Sequence, residues 1–526
     1  MNEYIKSGAY KWKVCISLNY DSKPIECFGQ ARLEKRPDGT LITVPSFQNG
    51  DKHILVSIDM QKQIKVHTFS VNIQRCYARI DGDDLILSNI AIDLFKKNEK
   101  IKIRGEVLLR QISNLIVPLD DLFVDIKLLD ASSIYKIQDG KIVFDESKIK
   151  FIKSTPSSIQ EYAFNSFENI CKGGKPLAVL LSAGIDSRLN IALAYHFSKK
   201  YKNKIIAYHE YKDKKEYEIA KQVADSLKIP FICVSRDMFR EDPLEYVLSP
   251  EFIDFHGGIY RDTLARWYSY MDLMRFNDPD CIIIGMGADA HKGRYYRDIH
   301  KLPEDANRIM GYKIQKKDIQ NEKDFVSYFS NELIDEFFSD ITKRSLIFNS
   351  IHSRTDFIFY HVRTVKQSAS RTPFFHMNYG VQFPLKDDNF LSQAFSLPMK
   401  DKMDGAIPLR FIQKLNPEID SIPYNSGNRK CYRRQYINLI RHRIKCVLSK
   451  FPNTDRRNEK IAWDHPMVMD RLDGASSEIT AKLEKFIKEN LGKKKPNGQI
   501  KPECALRVYL FLRQAEKKLG VEFICK

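Results

Sequence analysis

The sequence predicts a mixed α/β protein, in which an antiparallel, β-rich N-terminal domain precedes a domain built on a parallel sheet. In the first 150 residues or so, short apolar runs are separated by turn sequences such as RPDG, QNGD and DGDD. From about residue 155, strand-like and helix-like segments alternate. The chain has 526 residues, more than one core normally holds, so we expect two domains, 1–150 and 151–526.

The N-terminal domain is predicted from short runs of apolar and β-branched residues. One helical segment, 90–97, interrupts them, and Asp139-Gly140 predicts a hairpin turn. The expected strands are 13–18, 41–44, 54–58, 64–69, 75–80 and 85–87.

The second domain is predicted from alternation of strands and helices, which is typical of a parallel sheet covered on both faces. After about residue 320 the chain is mostly helical, and it is basic toward the end, at 431–445 and 493–495. The expected order is helix 157–171, strand 177–181, helix 188–199, strand 204–208, helix 216–227, strand 230–234 and strand 281–284.

Composition narrows the class of protein. The net charge of +18 is compatible either with a lysine-rich solvated surface or with a polyanionic partner such as nucleic acid, nucleotide or membrane. Ten cysteines without a C-x-x-C pair predict free thiols rather than a disulfide scaffold or a metal site. We expect a cytoplasmic protein, because the sequence has no secretory core and no apolar run long enough for a membrane span.

A first candidate loop follows the strand at 177–181, in the stretch LAVLLSAGIDSRLNIAL. Ligands of open α/β sheets bind at the carboxyl ends of strands. The hydroxyls of Ser182 and Ser187, the backbone at Gly184 and the start of a helix suit a pyrophosphate. Asp186 fits that environment as a Mg²⁺ ligand. The alternative is an ordinary strand-to-helix turn in which Ser and Asp act as caps.

A second candidate loop follows the strand at 281–284, in IIIGMGADAHKGRYY. Because it also lies at the carboxyl end of a strand, it can face the first loop. Asp289 would then add a second carboxylate near the magnesium. A glycine-rich turn with a capping aspartate is the alternative.

The first loop resembles the SGGxDS loop of PP-loop ATP pyrophosphatases, with Ala183 in place of the first glycine. The pair of loops resembles the asparagine synthetase family, which combines SGGxDS with a GEGADELFGGY-type segment. The resemblance extends over about 40–425, and the two loops are its specific part. Supporting stretches are RCYARIDGDDLILSNIAIDLF, GEVLLRQIS, DDLFVDIKLLDASSIYKI, KEYEIAKQVADSLKIPF and FPLKDDNFLSQAFSLPMKDKMDG.

This resemblance implies an Ntn-hydrolase-like N-terminal domain and a PP-loop (adenine nucleotide α-hydrolase-like) synthetase domain with a helical C-terminal part. It implies ATP and Mg²⁺ as cofactors, with Asp186 and Asp289 as metal ligands, and it places Arg410 with these two aspartates among the catalytic residues. The implied nucleotide-binding residues are Leu180, Ser182, Ala183, Gly184, Asp186, Ser187, Tyr208, Gly285, Met286 and Gly287.

Three departures from the family bear on the reaction. The second residue is Asn2, where the glutamine-dependent enzymes expose a nucleophilic cysteine, and the nearest cysteine, Cys15, lies in a predicted strand. We therefore expect a degenerate glutaminase domain. Met286 stands where the family usually has a glutamate between the two glycines. The β-lactam and carbapenam synthetases and the lasso-peptide cyclases, which join an internal amine to a carboxylate, also carry residues other than glutamate there. Arg410 aligns best with the family lysine that contacts the α-phosphate, and Lys414 is the second choice.

The expected activity is an ATP-dependent, AMP- and pyrophosphate-forming amide ligase whose amine is not ammonia from glutamine. Its partners would be a small-molecule or peptide carboxylate and amine, a precursor peptide being one option, and a homodimer is compatible with the sequence. His352, Asp356 and His361 are candidate general bases. Two alternatives remain: an inactive scaffold protein, and a tRNA-modifying PP-loop enzyme, which the asparagine synthetase-like second loop disfavours.

Overall fold

We describe the protein from a computed structural model. The described residues are 12–18, 25–29, 31–45, 52–69, 75–113, 122–211, 213–234, 250, 253, 281–285, 288–291, 324–362, 380–382, 384–402, 405–424, 472, 474–490, 500 and 502–525. Asn2, Met286, Gly287 and both basic segments, 431–445 and 493–495, lie outside them.

The N-terminal part consists of antiparallel strands, as the sequence predicts. The six predicted strands are confirmed, whereas β2, β3, β9 and α1 were not predicted. Its elements are β1 Trp12–Ser17, β2 Glu26–Gly29, β3 Arg32–Arg36, β4 Gly39–Pro45, β5 Lys52–Asp59, β6 Ile64–Thr68, β7 Tyr77–Asp81, β8 Asp84–Ser88, β9 Lys100–Ile103, α1 Gly105–Ile112, β10 Lys127–Leu128, β11 Ser133–Gln138 and β12 Lys141–Ser147.

Two sheets share one core in this region. One has the order β10-β7-β8-β1-β2 and the other the order β12-β11-β6-β5-β4-β3. Alternate residues of both sheets, such as Val14, Leu85, Val56 and Val66, meet in a single buried cluster. This is the face-to-face packing expected of strands with one apolar face.

Two local predictions in this region have different outcomes. The hairpin between β11 and β12 is confirmed: Asp139 and Gly140 both have positive φ angles, 49° and 64°, as a two-residue turn that matches strand twist requires. The predicted helix at 90–97 is wrong, since only a 3₁₀ turn, Ala91–Leu94, forms there. Four residues that bury three apolar side chains against the core are enough for such a turn.

The second part contains the expected parallel sheet. Its elements are α2 Pro156–Cys171, β13 Leu177–Leu180, α3 Ile185–Tyr201, β14 Ile205–Glu210, α4 Lys214–Ser226, β15 Phe231–Val234, β16 Cys281–Ile283 and β17 Gly380–Gln382. The sheet order is β15-β14-β13-β16-β17, and its four strand pairs are all parallel. The chain therefore builds the sheet outward from β13, first on one side and then on the other.

Helix boundaries follow from capping. Thr155 and Ser158 form a reciprocal capping box at the start of α2, with Pro156 in the first helical position. Helix α3 begins at Ile185, three residues before the predicted start. Asp186 and Ser187 therefore belong to its first turn, where backbone N–H groups have no partner within the helix.

Helices follow from residue 332. They are α5 Glu332–Arg344, α6 Ile351–Phe359, α7 Asp388–Ser396, α8 Met399–Lys402, α9 Ala406–Leu415 and α10 Pro417–Ser421. Helix α5 is held by the N-terminal part at both ends. The Glu106 carboxylate accepts from the N–H groups of Leu333 and Ile334, and Arg344 donates to Asp130.

The C-terminal elements, α11 Glu478–Asn490, α12 Pro502–Leu519 and β18 Glu522–Cys525, return to the N-terminal part. Strand β18 pairs in parallel with β9, and the two helices share a buried cluster with α1. The sequence did not indicate this return. Within the described residues, no helix is both long enough and apolar enough to cross a bilayer.

Candidate active site

The two candidate loops lie side by side at the centre of the parallel sheet. Strands β13 and β16 are neighbours, with Val179 opposite Ile283. After β13 the chain adds strands on one side, and with β16 it continues on the other, so the strand order reverses between these two strands. In open α/β sheets this switch point is where ligands bind.

The first loop is closed by bonds among its own residues. The Ser187 hydroxyl is within hydrogen-bond reach of the carbonyl oxygens of Ser182, at 3.0 Å, and Gly184, at 3.2 Å. The hydroxyl oxygens of Ser182 and Ser187 lie 2.9 Å apart, and the N–H of Gly184 donates to Ser182 Oγ at 3.2 Å. Both hydroxyls are thus held beside the N-terminus of α3, where an anion is favoured by the helix dipole and the first-turn amides.

The alanine that departs from the SGGxDS pattern fits the loop. Ala183 is fully buried, and it is not among the residues with positive φ. Gly184 has a φ of −81°, so neither position needs the left-handed region. An alanine at 183 therefore does not strain the backbone.

A close approach between the backbones joins the second loop to the first. A Cβ built on Gly285 would lie 3.1 Å from the Cβ of Asp186 and 3.3 Å from the backbone nitrogen of Ser187. Glycine is therefore the residue that allows this contact. The neighbouring Met286 and Gly287 lie outside the described residues.

Asp289 belongs to a 3₁₀ turn, Ala288–His291, directly after the second loop. Its side chain is outside the described part of the structure, so only its backbone position is assigned. The Asp186 carboxylate and the two serine hydroxyls are hard oxygen donors, which suit Mg²⁺ bound together with phosphate oxygens. Among the described side chains, no group of three or more His, Cys, Asp or Glu residues could hold a metal by itself.

A buried lysine that follows the last strand of this sheet was missed from the sequence. Lys386 follows β17, the neighbour of β16, and is 1% exposed; burial lowers its pKa to about 8. The ring of His291, after the second loop, packs edge-on against Phe390 of α7, with centroids 5.6 Å apart. The sequence clue was a lysine shortly after the end of β17 at Gln382, in PLKD.

Two of the residues expected to bind the nucleotide, Leu180 and Tyr208, lie on paired strands. Leu180 pairs with Tyr208, whose side chain is fully buried. The expectation that Tyr208 ends its strand is wrong, because β14 continues to Glu210. Buried His209, another unpredicted residue, has Nδ1 2.9 Å from the carbonyl oxygen of Leu181. Since a carbonyl only accepts, Nδ1 donates, and the histidine holds the residue before Ser182.

Arg410 and Lys414 are both exposed on α9. The Nε of Arg410 donates to the carbonyl oxygen of Ala406, one turn earlier, at 3.3 Å. The start of α9 does approach the first loop: Gly405 has a φ of +68°, and its built Cβ would lie 3.1 Å from Ile185 Cδ1. The structure thus brings the helix to the loop, while the Arg410 guanidinium lies along its own helix.

The three candidate bases have different environments. Asp356 is fully buried in an ion pair with Lys402, at 2.5 Å, and Lys402 Nζ also donates to the carbonyl oxygen of Ala394. His361 is buried against the rings of Phe357 and Tyr360.

His352 is the half-buried member of this set, and desolvation is the main cause of its lowered pKa. Such an environment keeps an imidazole neutral near pH 7, as a base requires. Its partial exposure therefore favours His352 over the other two, which are buried.

Comparison with known proteins adds no family assignment. None of the protein-family models matches the chain, and no curated protein matches it.

Proposed function

We propose that this protein is an ATP-dependent amide-bond ligase that converts ATP to AMP and pyrophosphate. The observation that carries the proposal is the contact between Gly285 and the Asp186–Ser187 backbone at the switch point of the parallel sheet. The two loops that the sequence predicts to bind pyrophosphate and magnesium are neighbours there. We assign this part to the PP-loop (adenine nucleotide α-hydrolase-like) type, and the N-terminal sandwich to a degenerate Ntn-type glutaminase.

In the first half-reaction, a substrate carboxylate oxygen attacks the α-phosphorus of ATP, and the bond to the β,γ-pyrophosphate breaks. Ser182, Ser187 and the first-turn amides of α3 would bind the leaving pyrophosphate, since the two hydroxyl oxygens lie 2.9 Å apart beside the helix N-terminus. Asp186, together with Asp289, would hold Mg²⁺, which neutralises phosphate charge when bound.

In the second half-reaction, an amine attacks the acyl carbon, the C–N bond forms, and AMP leaves. The amine loses one proton. His352 would accept it, because it is the most exposed of the three candidate bases. Arg410 would supply positive charge to the α-phosphate after its side chain leaves its own helix. With Asn2 in the nucleophile position, the amine comes from the substrate or a second small molecule.

The test is pyrophosphate release and AMP formation with Mg·ATP and a panel of amino acid, peptide and sugar carboxylates. Hydroxylamine serves as a general amine that traps acyl adenylates. Asp186→Asn should lower the rate at least about a hundredfold.

Asp213→Asn is the matched control, since Asp213 also lies at a helix N-terminus after a strand of this sheet, where asparagine caps equally well. Absence of Mg·ATP binding by the wild-type protein would contradict the proposal. Nucleotide binding without turnover of any carboxylate would favour a scaffold protein, and strongly salt-dependent tRNA binding would favour a tRNA-modifying enzyme.

A further inference from the structure

Arg188, directly after the first loop, is completely buried, and its guanidinium bonds to the end of another helix. Its Nη1 donates to the carbonyl oxygens of Ile419, at 3.0 Å, and Ile422, at 2.6 Å. Its Nη2 donates to the carbonyl oxygen of Pro423 at 2.7 Å. The guanidinium also lies 3.7 Å from the ring centre of Tyr424.

These carbonyls lie at the C-terminal end of α10, where the last backbone oxygens have no partner within the helix. A planar guanidinium reaches several carbonyls from two nitrogens and stacks flat on an aromatic ring, whereas a lysine ammonium is a compact charge on one nitrogen. Tyr424 is fixed in turn, because its hydroxyl lies 3.1 Å from Asp420 Oδ1. The first turn of α3 and the end of α10 therefore form one buried unit.

The other end of the α9–α10 pair is also held by this first turn. Gly405, which precedes α9, packs on Ile185, while Arg188 holds the carbonyls that follow α10. Ile185 and Arg188 are both in the helical turn that contains Asp186 and Ser187. A ligand that orders this turn therefore acts on both ends of the α9–α10 pair, which carries Arg410.

We propose that Arg188 is a positioning residue that couples phosphate binding at the first loop to the placement of α9 and α10. Arg188 does not contact the reacting atoms in this role. With Ile185, it makes occupation of the phosphate loop and ordering of the α9–α10 pair a single event. The proposal rests on the proposed function only in requiring that the loop bind a nucleotide.

Hydrogen–deuterium exchange tests the coupling without a known carboxylate. The probes are Mg²⁺ with α,β-methylene-ATP and, separately, Mg²⁺ with pyrophosphate. Exchange is followed in peptides covering 182–187 and 406–421, in the wild type, Arg188→Met and Arg188→Lys. In the wild type we expect both probes to slow exchange at least tenfold in both regions.

In Arg188→Met, we expect the affinity for each probe to stay within about threefold of wild type. The probes should still slow exchange in 182–187, but they should no longer slow it in 406–421. Arg188→Lys should resemble Arg188→Met, because a compact ammonium on one nitrogen lacks the planar fork with which the guanidinium reaches these carbonyls from two nitrogens. Tyr424→Leu keeps the hydrogen bonds of Arg188 and should lose part of the protection of 406–421. It gives a second test if Arg188→Met does not fold.

Arg344→Met is the matched control. Arg344 is another buried arginine, bonded to Asp130 and Ser133 away from the loop, so its loss should lower stability and leave the coupling unchanged. Equal protection of 406–421 in the wild type and Arg188→Met would overturn the proposal, as would a wild type in which only 182–187 is protected. A wild type in which neither region responds would overturn the nucleotide-binding function itself, and the coupling with it.

Discussion

The first loop, residues 182–187, and the wall that α8–α10 form beside it are held in opposite ways. The side-chain bonds of the loop join Ser182, Gly184 and Ser187, at most five residues apart in the chain. The wall depends on distant partners: the bonds of Arg188 span 231 to 235 residues, and the Lys402–Asp356 pair spans 46. A locally closed loop can be recognised in a sequence, whereas a wall fixed by remote partners cannot.

The largest effect is expected from breaking the remote ion pair in the wall. Lys402 and Asp356 are both fully buried, so Lys402→Met leaves a buried charge without its partner and should lower the free energy of unfolding by about 3–5 kcal/mol. The double variant with Asp356→Leu should return to within about 1 kcal/mol of the wild type. Urea unfolding measures both.

The exposed pair Lys221–Asp225, at 2.7 Å, is the control, and Lys221→Met should change stability by less than about 0.5 kcal/mol. If Lys402→Met and Lys221→Met had equal effects, the wall would not depend on its buried pair.

The next effect concerns Lys386, a buried lysine that follows β17. Burial lowers its pKa to about 8, compared with about 10.4 in an unfolded chain. Between these pH values the unfolded chain binds more protons, so this lysine makes the folded state less stable as the pH falls from about 10.4 to 8. The free energy of unfolding of Lys386→Met should therefore exceed that of the wild type by up to roughly 3 kcal/mol below pH 8. This difference should disappear above about pH 10.5.

The measurement is denaturant unfolding of both proteins from pH 7 to pH 11. Lys141→Met, at an exposed position in β12, should show no such dependence. A constant difference between Lys386→Met and wild type across this range would contradict the prediction.

A smaller effect is expected at Arg410, which tests whether the wall supplies charge to the reaction. Arg410→Met should lower AMP formation about tenfold, while Arg410→Lys keeps most of the rate if the role is electrostatic. Because Arg410 is exposed, stability should change by less than about 0.5 kcal/mol. Lys414→Met on the same helix is the control, and a loss there instead of at Arg410 would reassign the role to Lys414.

The smallest effect is expected from restoring the glycine of the SGGxDS pattern. Because Ala183 does not have a positive φ, Ala183→Gly relieves no backbone strain in the folded state. The glycine does increase the conformational entropy of the unfolded chain. We expect a loss of about 0.4–1 kcal/mol in stability and an unchanged affinity for Mg·ATP, measured by calorimetry. Tighter binding by more than about threefold would show that the alanine restrains the loop.

The sequence was sufficient for features that depend on neighbours in the chain. Short apolar runs between turn sequences predicted the antiparallel strands, and Asp139-Gly140 predicted the hairpin, because a two-residue turn constrains φ locally. The parallel strands around β13 followed from their buried runs and intervening helices. Ser182, Gly184, Asp186 and Ser187 were selected for the same reason, since a strand, a short loop and a helix start are consecutive in the chain.

Only the tertiary structure decided the contacts between distant residues. It placed Gly285 against Asp186, paired β18 with β9, and buried Arg188 under α10 and Asp356 against Lys402. None of these contacts leaves a periodic pattern in the sequence, since each depends on which surfaces meet after folding. The first loop is therefore recognisable in the sequence, while the helices beside it are positioned by long-range packing and buried charge.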